Sequence, residues 1–210
     1  MSPKNRVLLV EGRDDEQIIY QFCNYYGIDN RQRLTVKALD GITELLRDLQ
    51  LRIRSSEIET LGVVLDADTD LQAQWERIRA IVEPQQYTLP DRPNPTGTIV
   101  TSVRPQRPRL GIWIMPDNQL TGTIEDFLLY LTRRGDTLLN RARAAIEAIP
   151  HSERRFKPSY YSKALIHTWL AWQEEPGTAL GLAITRNYLD PGQNPAPAFK
   201  IWLETLFWSI

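Results

Sequence analysis

Two short stretches place acidic side chains directly behind apolar runs: "LLVEGRDDEQ" at residues 8–17 and "LGVVLDADTD" at residues 61–70. A third, "GIWIMPDN" at residues 111–118, repeats the design with Asp117 and Asn118. Each apolar run is short, continuous and β-branched or aliphatic, the pattern of a strand buried on both faces of a parallel sheet. In such sheets the ligand site lies beyond the carboxyl ends of the strands. If the three strands are parallel neighbours, Glu11, the pair Asp66 and Asp68, and Asp117 meet in one crevice. Carboxylates brought that close repel one another, so they take up protons or share a cation. An all-oxygen donor set suits Mg²⁺ or Mn²⁺ rather than zinc. Neither His151 nor His167 has a Cys or His at metal-ligand spacing. Taken singly, each acid is an ordinary helix cap or solvated loop residue, and Asp14 and Asp70 read as caps. Three in successive strand–helix units favour a cation site.

The elements that must position these acids follow from periodicity. Strands are expected at residues 6–10, 34–39, 60–65 and 110–115. Between them lie amphipathic helices at about residues 15–26, then across "GITELLRDLQLRIRS", then through Leu71, Trp75, Ile78 and Val82. Asp14 with Gln17 resembles a capping box, and Gly12 is expected to give Glu11 a permissive turn at the strand tip. This alternation is the signature of parallel βαβ units. Residues 83–109 are rich in proline and read as an insertion carrying one strand candidate, "TIVTSV". A further helix is expected at residues 124–131. The rest is mostly helical, with Trp169, Trp172, Trp202 and Trp208 read chiefly as core packing.

Composition limits the classes of function. The 210 residues carry 25 basic and 26 acidic side chains, a formal net charge of −1, so no global field draws the chain to nucleic acid. Polyanion binding would need local patches, such as Arg104/Arg107/Arg109, Arg133/Arg134, Arg141/Arg143 or Arg154/Arg155/Lys157. The single cysteine, Cys23, lies in a helical pattern and reads as a packed thiol. No apolar run approaches the ~20 residues of a membrane span, and the N-terminus lacks a signal-peptide pattern. A cytoplasmic location is expected.

The two acidic stretches together resemble the Toprim fold. "LLVEGRDDE" is similar to its first motif, a strand-end glutamate and glycine before a helix. "VVLDADTD" is similar to its second, the strand-end Asp-x-Asp. The resemblance spans residues 6–131. "GIWIMPDNQLTGTIEDFL" and the helical tail with Lys163 further resemble a bacterial group of stand-alone Toprim-like proteins related to the overcoming-lysogenization-defect (OLD) nucleases. The resemblance implies an α/β, Rossmann-like, mostly parallel sheet flanked by helices. It would occupy residues 1–132, with the helical region 133–210 packed on it. It also implies a nuclease or related phosphoryl-transfer enzyme acting on DNA or RNA with one or two Mg²⁺ or Mn²⁺ ions. Glu11 would be the general acid/base or a metal ligand, and Asp66 with Asp68 the metal pair. Asp15 and Glu125 would be further metal ligands, and Lys163 would steady the transition state. Asp70 would extend the acidic pair to a triplet, while Asp117 and Asn118 belong to the closer group without an assigned role.

Topoisomerases and primases of this fold carry further domains for which the chain has no room. OLD nucleases usually bear an ATPase domain, whereas no Gly-x-x-x-x-Gly-Lys-Ser/Thr occurs here, so a separate ATPase partner is implied. A haloacid-dehalogenase-type phosphatase would place its Asp-x-Asp on the first strand with Thr or Val at the fifth position, which is Asp70 here. A phosphate-receiver domain would leave Glu11 and Asp68 without a role. The principal alternative is a non-catalytic Toprim-like module that binds metal, nucleotide or a partner.

Overall fold

A computed structural model describes residues 5–28 and 34–208. Five strands form one sheet: β1 (Asn5–Val10), β2 (Thr35–Ala38), β3 (Ile58–Asp66), β4 (Thr98–Val100) and β5 (Arg109–Met115). Their order is β2-β1-β3-β5-β4. All neighbours pair in parallel except β4, which runs antiparallel to β5 at the edge. The proline-rich insertion therefore contributes one short edge strand, where missing N–H donors are tolerated. The acid-bearing strands β1, β3 and β5 are adjacent, as the crevice expectation required.

Alternation along each strand separates two cores. Val7, Leu9, Val63, Leu65, Ile112 and Ile114 face α2 (Ile42–Arg52) and α3 (Leu71–Val82). Leu8, Val10, Val64, Trp113 and Met115 join the opposite cluster. That cluster includes α1 (Arg13–Tyr25), α4 (Ile124–Tyr130), α5 (Thr137–Glu147), α6 (Tyr161–Ala171), α7 (Leu182–Thr185) and α8 (Ala196–Phe207). The C-terminal helices thus share one buried core with α1, α4 and the sheet.

Two paired glycines let α8 approach. Gly62 on β3 and Gly111 on β5 are register partners. A Cβ on Gly111 would stand 2.3 Å from Leu206 Cδ2, and one on Gly62 would stand 2.8 Å from Phe207 Cζ. The C-terminus of α8 is also held by main-chain acceptors: Arg109 Nη1 donates to Thr205 O at 2.9 Å, and Arg6 Nη1 donates to Phe207 O.

Trp169 and Trp202 are buried in this core, whereas Trp172 is exposed. Cys23 is buried, and both histidines are exposed. Among the described residues no helix is long and apolar enough to cross a membrane.

Candidate functional site

The carboxyl ends of β1 and β3 and the first turns of α1, α4 and α6 surround one crevice of about 530 Å³. Its walls include Glu11, Asp15, Asp66, Glu125, Tyr160 and Lys163. The acids are fixed by main-chain donors. Glu11 Oε1 accepts from the Asp66 N–H at 2.8 Å, tying the tip of β1 to that of β3. Asp66 Oδ1 accepts from the Ile124 N–H at 2.9 Å, at the start of α4. Asp15 Oδ2 accepts from the Gly12 N–H at 2.6 Å. Each carboxylate is thereby anchored by one oxygen, and no donor among the described residues reaches the other oxygen.

This geometry corrects two local expectations. The cap at the start of α1 is one-sided and uses Asp15, whose carboxylate accepts the Gly12 N–H, rather than Asp14 with Gln17. Asp14 is free of capping and instead lies 3.9 Å from Lys163 Nζ. Gly12 has φ −141°, an extended backbone open to any residue, so no special turn is needed to present Glu11.

On the opposite wall, Thr123 caps α4 reciprocally with Asp126, whose Oδ2 accepts the Thr123 N–H at 2.8 Å. Asp126 Oδ1 accepts from Ser162 Oγ at 2.5 Å, clamping α4 to the first turn of α6. That clamp sets Lys163, whose Nζ lies 3.1 Å from Oε1 of the buried Glu125. The second oxygen of Glu125 accepts from Thr123 Oγ1 at 2.7 Å. Thr123, Asp126 and Ser162 escaped the sequence reading, although "TIED" at residues 123–126 carries a capping-box spacing. Tyr160 was also missed, because nothing local marks an exposed aromatic as part of a distant crevice.

Burial and mutual repulsion dominate the electrostatics. Burial raises Asp66 well above the usual carboxylate range, and Glu11, Asp15, Glu125 and Asp68 push it further. Burial likewise lifts Asp15 to about 7, with Glu11, Glu125 and Asp14 adding to it against the Gly12 N–H. Glu11 is raised by burial and Asp68, opposed by the Asp66 N–H and Arg77. For Lys163, burial favours the neutral form, but Glu125 and then Asp14 and Asp15 outweigh it and hold the ammonium charged.

The remaining predicted residues lie outside the crevice lining. Asp68 is exposed, with φ +50°; its Oδ2 stands 3.5 Å from Gln74 Nε2, and it acts on Glu11 and Asp66 only through its charge. Asp70 caps α3, accepting from the Ala73 N–H at 2.9 Å. Asp117 Oδ1 caps its own turn through the N–H groups of Gln119 and Leu120. Asn118 is buried at φ +65° and accepts from the Ile114 N–H at 2.8 Å, which closes the turn after β5. The expectation that Asp117 joins the other strand ends therefore fails, because the chain turns its carboxylate back onto the loop. A larger cleft, about 900 Å³ and lined by Asp70, Arg79, Asp91 and Asn118, contains no comparable set of coupled acids.

The donor set suits a hard divalent cation in kind: oxygen atoms, excess negative charge and unfilled acceptor positions. As they stand, no three acidic, His or Cys side chains among the described residues are placed to hold one ion together. Mg²⁺ needs only one or two carboxylates when water and substrate phosphates complete its shell. Glu11 and Asp66, linked across adjacent strands, are the pair best placed to serve, with Asp15 and Glu125 beside them.

An α/β protein with a mostly parallel five-stranded sheet, flanked by helices and carrying coupled acids at its strand ends, is thus defined. The chain belongs to the family described as "Protein of unknown function (DUF3226)", whose model matches residues 5–208. Among solved structures it is similar to "Crystal structure of hypothetical protein PH0156 from Pyrococcus horikoshii OT3". The TM-score is 0.55 at 12% identity, covering 97% of this chain and 95% of that one. No curated protein matches the sequence significantly.

Proposed function

We propose that this chain is a Toprim-type, divalent-metal-dependent nuclease, or a related phosphoryl-transfer enzyme acting on nucleic acid. The observation that carries the reading is the coupling of Glu11, Asp15, Asp66 and Glu125 in one crevice with Lys163 on its wall. A bound Mg²⁺ or Mn²⁺ would supply charge neutralisation at the phosphate and an activated water. Glu11 and Asp66 would hold the ion from strand ends fixed by their mutual hydrogen bond. Asp15 and Glu125 would complete the negative field or take part in binding a second ion. Lys163, held charged by Glu125, would offset negative charge on the pentavalent phosphoryl oxygens. Glu11, whose burial raises its affinity for a proton, would be the group for proton transfer at its free oxygen.

One observation favours a non-catalytic module that binds metal, nucleotide or a partner. Lys163 already pairs with Glu125, which withdraws one carboxylate from a cation shell. In either reading a cytoplasmic location and a separate ATPase partner remain proposals from the sequence.

Incubation with end-labelled single- and double-stranded DNA and RNA, with and without Mn²⁺, separates the two. Cleavage by wild type that requires Mn²⁺ and is lost in Glu11→Gln and Asp66→Asn supports the enzyme. Cleavage no greater than in those variants defeats it for these substrates.

A further inference from the structure

The acidic crevice is flanked by an exposed aromatic and an arginine, and a similar group recurs at the far end of α4. Tyr160, in the short turn before α6, lines the crevice while remaining 53% exposed. Arg13 lines the same crevice and forms no ion pair among the described residues. At the other end of α4, Tyr130 is 46% exposed and lines a hollow of about 620 Å³ with Arg133 and Arg134. Arg134 is exposed and also unpaired among the described residues. Asp190 is the acid in that hollow, so its side chains carry a net positive charge.

Tyr130 follows Asp126 by one helical turn, and the charge of Asp126 reaches it. The partly exposed face of α4 therefore leads from the Asp126–Ser162 clamp toward the two arginines. The helical part of this path, from Glu125 to Tyr130, rises about 8 Å.

Exposed aromatics beside cations are the combination that stacks unpaired bases while contacting phosphates. Duplex binding instead relies on many phosphate contacts from basic surface, and a chain with net charge −1 has little of it to spare. We propose that the substrate is a single-stranded nucleic acid, with one base stacking on Tyr160 at the crevice and phosphates further along the strand reaching Arg133 and Arg134 beside Tyr130. This rests on the nuclease reading for the placement of the scissile phosphate, but strand binding itself is separately measurable.

Fluorescence anisotropy with a labelled oligothymidylate of about 15 nucleotides, and with the matching duplex, tests it. Ca²⁺ replaces Mn²⁺ during the measurement. Wild type is expected to bind the single strand about tenfold or more tighter than the duplex. Tyr160→Ala should weaken single-strand binding about tenfold, and Tyr160→Trp should restore it. Arg133→Glu with Arg134→Glu should weaken it further and flatten the salt dependence by about two contacts. Unchanged thermal melting will show that these surface variants fold. Equal affinity for duplex, wild-type affinity in both variants, or no binding by wild type overturns the proposal. Cleavage in Mn²⁺ is read separately: if Glu11→Gln cleaves as wild type does, the nuclease assignment of the crevice fails while the strand site stands.

Discussion

Glu11 and Asp66, both carrying raised pKa values, are joined by a 2.8 Å hydrogen bond from the Asp66 main-chain N–H to Glu11 Oε1. The bond runs between the ends of neighbouring strands, so sheet formation itself brings two carboxylates into a partly dehydrated space. That arrangement costs folding energy unless protons or a cation compensate. A site that is expensive without a ligand is a reasonable place to look for one.

Removing one of these charges should stabilise the ligand-free protein while abolishing activity. Asp66→Asn keeps an oxygen to accept from the Ile124 N–H and relieves repulsion with Glu11, Asp15 and Glu125. A rise of a few degrees in Tm at pH 8 without metal is expected, measured by scanning calorimetry beside the cleavage assay. A lower Tm would mean that the charge is structurally required.

The pH dependence of stability follows from Asp15. Its folded pKa of about 7 exceeds the ordinary 3.8, so between these values the folded chain keeps a proton that the unfolded chain has lost. Stability from this group is full below about pH 4 and declines as pH rises to about 7, by at most a few kcal/mol. Mn²⁺ should reverse the trend, raising Tm more at pH 8 than at pH 5. Urea melts across this range, with and without Mn²⁺, measure both effects.

Lys163 joins structure to site. Lys163→Met leaves the buried Glu125 without its cation, and should cost about 1–3 kcal/mol in urea denaturation. Cleavage should fall more steeply than stability can account for. A variant that loses stability but retains activity would assign Lys163 to the scaffold alone.

Asp70 provides a contrast. Asp70→Ala removes the cap of α3 and should cost about 1 kcal/mol. Metal-dependent cleavage at a temperature where the variant is folded should be unchanged. Loss of cleavage would place Asp70 in the site after all.

The glycine pair under α8 gives a purely structural test. Gly111→Val thrusts a side chain into Leu206 and should destabilise by about 1–3 kcal/mol or more. Equilibrium unfolding that matches wild type would contradict the close approach of α8 to β5.

Much of the sheet was legible because period-two and continuous apolar runs report burial directly. "LLVEG" and "GVVLD" marked the ends of β1 and β3, and alternation with helices pointed to a parallel sheet, while their adjacency was a condition that the strand order meets. What could not be read was the direction of individual carboxylates. Asp117 sits at a strand end as Asp66 does, yet it bonds the N–H groups of its own turn. Asp14 and Asp15 are neighbours, and only the helix start at Arg13 decides that Asp15 caps and Asp14 faces Lys163. The Asp126–Ser162 clamp spans 36 residues, a separation at which no local pattern constrains a pairing.

If the acidic crevice is a divalent-cation site, Mn²⁺ titration by calorimetry at pH 8 will register the ion. Wild type should bind Mn²⁺, with affinity about tenfold or more weaker in Glu11→Gln and Asp66→Asn and weaker again at pH 5 as protons compete. Absence of binding to folded wild type, or binding that neither substitution alters, would rule out a cation site at these acids.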